Sequence, residues 1–213
     1  MQTQYLPYRR STLELYDPFV HGFSNRFAWR CATKDLEALY RTHLTANHLD
    51  VGPGTGFFLD RVSPPGERPR IALLDFQAGC LTKACSRLER FAPETIVQDV
   101  LAPIALGGQR PFDSISMTYV MHCVRGDGRT KGRVFGHLRD ILNPGGVLFG
   151  ATVLTGDVPR NLIARTLSSA YNRLGWWANH GDTARWLEDA VRDAFPTAKV
   201  WTQGCVGLFV AHR

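Results

Sequence analysis

The sequence predicts an α/β fold, a doubly wound sheet that is mostly parallel and finishes in an antiparallel C-terminal hairpin strand. Three observations predict it. Short apolar runs bounded by Gly, Pro or Asp recur from residue 47 onward, as strands buried on both faces do. Amphipathic stretches lie between them, so the connections are crossovers and the strands parallel. The last two runs, KVWTQ (199–203) and CVGLFVAH (205–212), are separated by Gly204 alone. No helix fits in that gap, and an antiparallel hairpin is required.

Residues 1–46 come first and do not follow the alternation. They carry Tyr5, Tyr8, Tyr16, Phe19, Phe23, Phe27 and Trp29. The spacing of KDLEALYRTHL (34–44) predicts a helix capped by Thr33 and packed on the sheet. The part before it reads as a helical lid over a ligand. The five parallel runs are NHLDVG (47–52), RIALLD (70–75), TIVQDV (95–100), FDSISMTYV (112–120) and GGVLFGATVL (145–154). A helix is expected over Gln77–Phe91, with Leu81, Ala84, Cys85 and Leu88 inward. Another is expected over Lys131–Leu142, stopped by Asn143-Pro144-Gly145-Gly146. Residues 155–195 form a second aromatic-rich insertion, with Tyr171, Trp176, Trp177, His180 and Trp186. At 213 residues the chain reads as one domain: an N-terminal segment (1–46), a core (47–154), the insertion (155–195) and a terminal hairpin (196–213).

Composition excludes several classes. With 44% hydrophobic and 21% charged residues, disorder and coiled coil are poor readings. The net charge is +6, but the cations are spread along the chain and only Arg9-Arg10 is an adjacent pair. A nucleic-acid partner needs a clustered basic face, so none is expected; the excess charge instead suits steering of an anionic small molecule. No apolar run reaches the ~18–20 residues that span a bilayer. MQTQYLPYRR has no apolar signal region, and a cytoplasmic protein is expected. Cys31, Cys80, Cys85, Cys123 and Cys205 are odd in number and scattered, matching neither a disulfide framework nor a common metal spacing. Cys123 falls near the site proposed below, where packing is weighed against a reactive thiol.

The chemistry is carried by Asp50-Val51-Gly52-Pro53-Gly54-Thr55-Gly56, directly after the first strand. Glycine at alternate positions lets the backbone turn sharply and approach a ligand. The helix that follows adds its positive end. The spacing is G-x-G-x-G; the dinucleotide pattern fails at its third glycine, where Phe57 stands. Asp50 before the loop suits a cationic amine and would repel a pyrophosphate. Asp75 ends the second strand, where a carboxylate accepts both ribose hydroxyls, and Phe76 beside it can lie against a base. Asp99, followed by Val100, closes the third strand, where an acid accepts an adenine amino group. Three acids at successive strand ends make a site for an adenosine with a cationic tail.

These pieces resemble the class I S-adenosylmethionine-dependent methyltransferases. The resemblance rests on LDVGPGTG (49–56), IALLDF (71–76), IVQDV (96–100), FDSISMTYVMH (112–122) and LRDILNPGGVLFG (138–150). It implies a Rossmann-like sheet and S-adenosyl-L-methionine as cofactor. Gly52, Gly54 and Gly56 would line methionine and ribose, with Asp50 near the amino group. Asp75 would hold the ribose, Asp99 the adenine, and Tyr119 and His122 would floor the sulfonium. Methyl transfer from a sulfonium needs alignment and a dry pocket more than a fixed triad. If a general base exists, His122 or His180 is the candidate, with Tyr119 weaker because a phenol titrates near ~10.

Departures narrow the substrate. Thr118-Tyr119-Val120-Met121 stands where the family's amino-group enzymes carry an Asn/Asp-Pro-Pro-Tyr tetrad, and residues 119–126 hold no acid to bind a catechol's magnesium. A small-molecule substrate with an aromatic or apolar portion is the expectation. The alternatives are a cofactor-binding protein without methyl transfer, or an RNA or protein methyltransferase; intact loop glycines and strand-end acids weigh against the first.

Overall fold

The computed structural model describes residues 17–213. Tyr5, Tyr8, Arg9-Arg10 and Tyr16 lie outside the described residues, as do the side chain of Phe19 and the first part of the expected lid. The strands are β1 (Asn47–Val51), β2 (Arg70–Asp75), β3 (Glu94–Val97), β4 (Phe112–Thr118), β5 (Leu142–Val153), β6 (Lys199–Gln203) and β7 (Val206–His212). They form one sheet in the order β3-β2-β1-β4-β5-β7-β6. The first five are parallel, and β7 runs antiparallel between β5 and β6.

The helices are α1 (Pro18–Trp29, wound as a π-helix), α2 (Thr33–His43), α3 (Phe57–Arg61), α4 (Ala78–Arg87), α5 (Gly128–Asp140), α6 (Leu162–Arg173) and α7 (Ala184–Ala194). Side chains alternate across each strand, so the sheet buries two cores. Leu49, Val51, Ile115 and Met117 face α5 and α7 through Phe135, Leu138, Leu187 and Val191. Ile71, Leu73 and Phe149 face the other helices through Trp29, Leu36, Tyr40, Phe58 and Leu81. None of the helices among the described residues is long and apolar enough to cross a membrane.

Several boundaries differ from the sequence reading. Thr33 does not cap α2: the N-cap is Ala32, and the Thr33 hydroxyl donates to the His21 carbonyl and accepts from Asn25 Nδ2. As the first residue of α2, it uses its side chain to hold α1 down and not to cap its own helix. Asn143-Pro144-Gly145-Gly146 follows α5 as expected but lies inside β5, at the register shift opposite Phe112 and Ser114. The helix expected to reach Phe91 stops at Arg87, and Glu89–Phe91 form a separate 3₁₀ turn. β3 stops at Val97, which leaves Asp99 and Val100 in the turn beyond it. Trp186 packs away from the cleft, with its indole N–H donating to the Gly128 carbonyl 2.9 Å away.

Two fastenings position the roof. The Trp29 carbonyl accepts from Cys205 N–H at 3.0 Å, joining the end of α1 to the β6–β7 turn. A Cβ on Gly204 would meet that carbonyl at 2.1 Å, so this turn requires glycine. The second is Lys131, which is 1% exposed; its ammonium donates to Asp182 Oδ2 (2.5 Å) and the Ala178 carbonyl (3.2 Å), pinning the loop that carries Trp176 and Trp177.

Candidate active site

The strand order reverses between β1 and β4, and ligands in open α/β sheets lie at the carboxyl edge of such a crossing. A cleft opens there in two lobes. The larger is lined by Asp75, Phe76, Gln98, Asp99, Val100, Val120, Cys123 and Trp176, among others. The smaller is lined by His21, Tyr40, Asp50, Gly54, Thr55, Phe57 and Thr118, among others. Gly52 and Tyr119 line both.

The loop after β1 owes its shape to its glycines. Gly52 has φ +63°, and a Cβ there would meet Val120 Cγ2 at 2.4 Å. Gly54 has φ +56° with nothing within 4 Å of its missing Cβ, which leaves bare backbone facing the smaller lobe. Gly56 completes the loop at the start of α3.

The three acids sit in different surroundings. Asp50 is 4% exposed, and burial pushes its carboxyl up to about 7 against the opposing hydrogen bonds from Ser116 (2.7 Å) and Tyr40. A desolvated carboxylate at the wall of a cavity is a place for a cation. Asp75 is half-buried; burial lifts it to about 6, although Oδ1 accepts the Gln77 N–H at 2.8 Å. Asp99 is exposed, and its Oδ1 is bound to the Leu101 N–H at 2.9 Å. Phe76 presents a ring 44% exposed beside Asp75, and Val100 is buried. This donor set fits an adenosine carrying a cationic amine: a carboxylate for the amine in one lobe, and two acids and an apolar wall in the other.

The candidate bases are placed unequally. Tyr119 stands at the junction of the lobes, and its hydroxyl donates to Asn25 Oδ1 at 2.8 Å. His122 is buried beneath the cleft and is not among the side chains lining either lobe. Its Nδ1 accepts from the Val153 N–H at 3.3 Å, its ring lies 4.2 Å from that of Trp177, and burial drives its pKa down to about 3. His180 is exposed in the turn before Asp182 and lines neither lobe. Cys123 lines the larger lobe, but burial pushes its thiol up to about 12, which leaves it a wall and not a nucleophile.

Sequence reasoning missed His21. It belongs to the aromatic-rich segment, stacks on Phe57 at 3.9 Å and lines the smaller lobe. Burial lowers its pKa to about 4. Its position could have been noticed among the neighbouring Phe residues, but not its direction. Also missed was the clasp of Asp17, whose carboxylate accepts from the Thr55 hydroxyl (2.7 Å) and from Arg87 (2.5 Å), while Arg87 also pairs with Asp60 at 2.8 Å. The clasp binds the start of α1 to the glycine loop.

Comparison with known proteins agrees with this geometry. Residues 49–148 match the family model described as a methyltransferase domain. The chain is 36% identical to demethylluteothin O-methyltransferase of Streptomyces thioluteus, over 96% of this chain and 88% of that one. It is 36% identical to methyltransferase aurB of Calcarisporium arbuscula, over 93% and 91%. Among solved structures it superposes on N-methyltransferase NodS of Bradyrhizobium japonicum, in complex with S-adenosyl-l-homocysteine, with a TM-score of 0.63, 14% identity and coverage of 95% and 97%. At that identity the last likeness speaks for the fold. With a Gly-rich loop, strand-end acids and relatives matched over nearly their whole length, the chain belongs to the class I S-adenosyl-L-methionine-dependent methyltransferases of the small-molecule type.

Proposed function

We propose that the enzyme methylates a hydroxyl oxygen on an aromatic or largely apolar small molecule. The observation that carries the reading is the two-lobed cleft, with Asp50 in one lobe, Asp75 and Asp99 in the other, and Tyr119 between them. The first relative's name supplies the choice of oxygen. The aromatic character rests on Trp176 at the wall and on Tyr171, Trp177 and Trp29 packed in sequence beside it.

When bound, S-adenosyl-L-methionine supplies an electrophilic methyl group on a sulfonium. The chain's part is to hold and align. In this reading Gly52 and Gly54 cradle the methionine and ribose, Gly56 lets the loop pack closely on Leu88 outside both lobes, Asp50 takes the amino group, Asp75 the ribose hydroxyls, and Asp99 the adenine amine against Phe76 and Val100. Tyr119 floors the junction, where its fixed hydroxyl keeps the ring in place. Neither His122 nor His180 reaches the cleft, so neither takes the hydroxyl proton: the acceptor, a phenol or enol acidic enough to ionise, gives that proton to solvent and reacts as its oxyanion, and the chain's part is alignment and exclusion of water. His21, neutral near pH 7, faces the same lobe as Asp50 and serves as wall and acceptor.

We further read the chain as one domain, with residues 17–46 of the N-terminal segment and the 155–195 insertion roofing the acceptor side, acting in the cytoplasm. The test is a transfer assay with labelled S-adenosyl-L-methionine against paired hydroxy- and amino-substituted aromatic acceptors. Label found on the hydroxylated set, and methyl ethers by mass spectrometry, support the reading. Transfer only to the amines would overturn it.

A further inference from the structure

Between β1 and β4 runs a file of polar side chains that meets the cleft only at its end. Thr45 Oγ1 lies 2.8 Å from Ser114 Oγ, which lies 2.7 Å from His48 Nδ1. His48 Nε2 lies 3.0 Å from Ser116 Oγ, which lies 2.7 Å from Asp50 Oδ1. The register builds it. His48 pairs with Ser114 and Asp50 with Ser116 on adjacent parallel strands, and alternate residues share a face. His48, Ser114 and Ser116 are each 0% exposed, and the rings of Tyr40 and Phe149 pack on the imidazole.

Burial keeps His48 neutral, with its pKa lowered to about 3, so it carries one N–H and one lone pair. Two arrangements then satisfy the file. With the hydrogen on Nε2, His48 donates to Ser116, whose single proton points at Asp50, and Asp50 accepts as a carboxylate. Ser114 donates to Nδ1 and Thr45 to Ser114. With the hydrogen on Nδ1, His48 donates to Ser114 and accepts the Ser116 proton. The Ser116–Asp50 contact is then favourable only when Asp50 itself donates, as a carboxylic acid. The second arrangement holds one proton more than the first. They interconvert when a proton enters at half-buried Thr45 and each group passes one to its neighbour, every broken O–H or N–H being replaced.

We propose that His48 is a positioning residue for the cofactor's cationic amino group: its tautomer sets the charge of Asp50, and the Nε2–H form holds that carboxylate ionised and facing the glycine-loop lobe. The proposal rests on the reading of Asp50 as the amine's partner. Facing Asp50 from the other elements are Tyr40 on α2, His21 on α1 and Tyr119 after β4, none of them a second carboxylate or a permanent cation. The file is thus the device that decides between the two forms of Asp50.

The experiment compares S-adenosylhomocysteine with 5′-methylthioadenosine, which lacks the amino acid portion, by calorimetry between about pH 6 and 8. His48→Leu removes the donor to Ser116, and His48→Gln restores an N–H at that reach. We expect His48→Leu to weaken S-adenosylhomocysteine about tenfold at neutral pH, with 5′-methylthioadenosine unchanged and the rise of affinity with pH moved upward. His48→Gln should recover most of the loss. If Asp50→Asn weakens S-adenosylhomocysteine while His48→Leu does not, this proposal falls and the Asp50 reading stands. If Asp50→Asn binds like wild type, the Asp50 reading falls and takes the proposal with it. The wild-type protein gives an independent check through the ¹⁵N shifts of His48 in the S-adenosylhomocysteine complex. A protonated Nε2 is the expected result, and a protonated Nδ1 overturns the proposal.

Discussion

The hydroxyl of Tyr119 donates to Oδ1 of Asn25 at 2.8 Å, across 94 positions of chain, and Asn25 is itself fully buried. The bond joins α1 to the one side chain that lines both lobes. Tyr119 also has φ 62°, a left-handed conformation that costs a non-glycine residue about 1–3 kcal/mol. Its backbone N–H to the Ala151 carbonyl (2.7 Å) and its anchored hydroxyl hold it there. Tyr119→Phe should keep the ring but leave Asn25 Oδ1 without this donor, lowering stability by about 1–3 kcal/mol. The acceptor KM should rise more than cofactor affinity falls. Melting curves and steady-state kinetics check this; an unchanged melting temperature would remove the anchor from the account.

Asp75→Ala should weaken S-adenosylhomocysteine by roughly 1–3 kcal/mol, the range for charge-assisted hydrogen bonds. Because the ribose is common to both ligands, 5′-methylthioadenosine should suffer equally, unlike the outcome for changes at Asp50. Calorimetry decides it, and wild-type affinity in the variant would make the ribose assignment wrong.

The two histidines expected from sequence to be bases separate cleanly in a rate measurement. A general base loses about 10²–10⁴-fold in turnover when truncated. His180→Ala should stay within about twofold of wild type, as exposed substitutions away from a site do. His122→Ala should lower the melting temperature through its lost contacts with Val153 and Trp177, with turnover per folded molecule retained to within about tenfold. A hundredfold loss in either, with the protein folded, would return that residue to the chemistry.

Stability of the cofactor-free protein should fall on acidification from about pH 6.5 to 4. His21, His48 and His122 are held neutral by burial, with pKa values lowered to about 4, 3 and 3. The unfolded chain therefore binds protons in that window that the folded chain refuses. Asp50 and Asp75, raised to about 7 and 6, act oppositely: they favour the folded state as pH falls from 7 toward 4. Taken together the three histidine shifts exceed the two carboxylate shifts, so the histidines outweigh them. Thermal melts across the range would contradict this if the midpoint rose toward pH 4.

All seven strands, the hairpin and the glycine loop were legible because period and punctuation are local properties of the chain. That Asp50, Asp75 and Asp99 line one cleft was legible because the carboxyl ends of neighbouring parallel strands share one edge of such a sheet, although Asp99 falls in the turn past β3 and not on the strand. The polar file was not. In FDSISM the two serines read as tolerated interruptions of an apolar strand, and only the pairing of β4 with β1 sets them beside His48. Thr33 was misread for a related reason: a hydroxyl before a helix suits a cap, yet α1 supplied closer partners. Amphipathic spacing tells which face of a helix is covered, not what covers it, and so the expectation of a helical lid before residue 33 did not reveal that His21 would face the smaller lobe.

The clasp of Asp17 has a kinetic consequence. One carboxylate holds both Thr55, in the loop reading as the cofactor cradle, and Arg87, which in turn restrains Asp60 on the following helix. Were α1 to lift and admit an acceptor, the cradle would lose a partner at the same moment. Entry of one substrate and retention of the other are not separate events in such an arrangement.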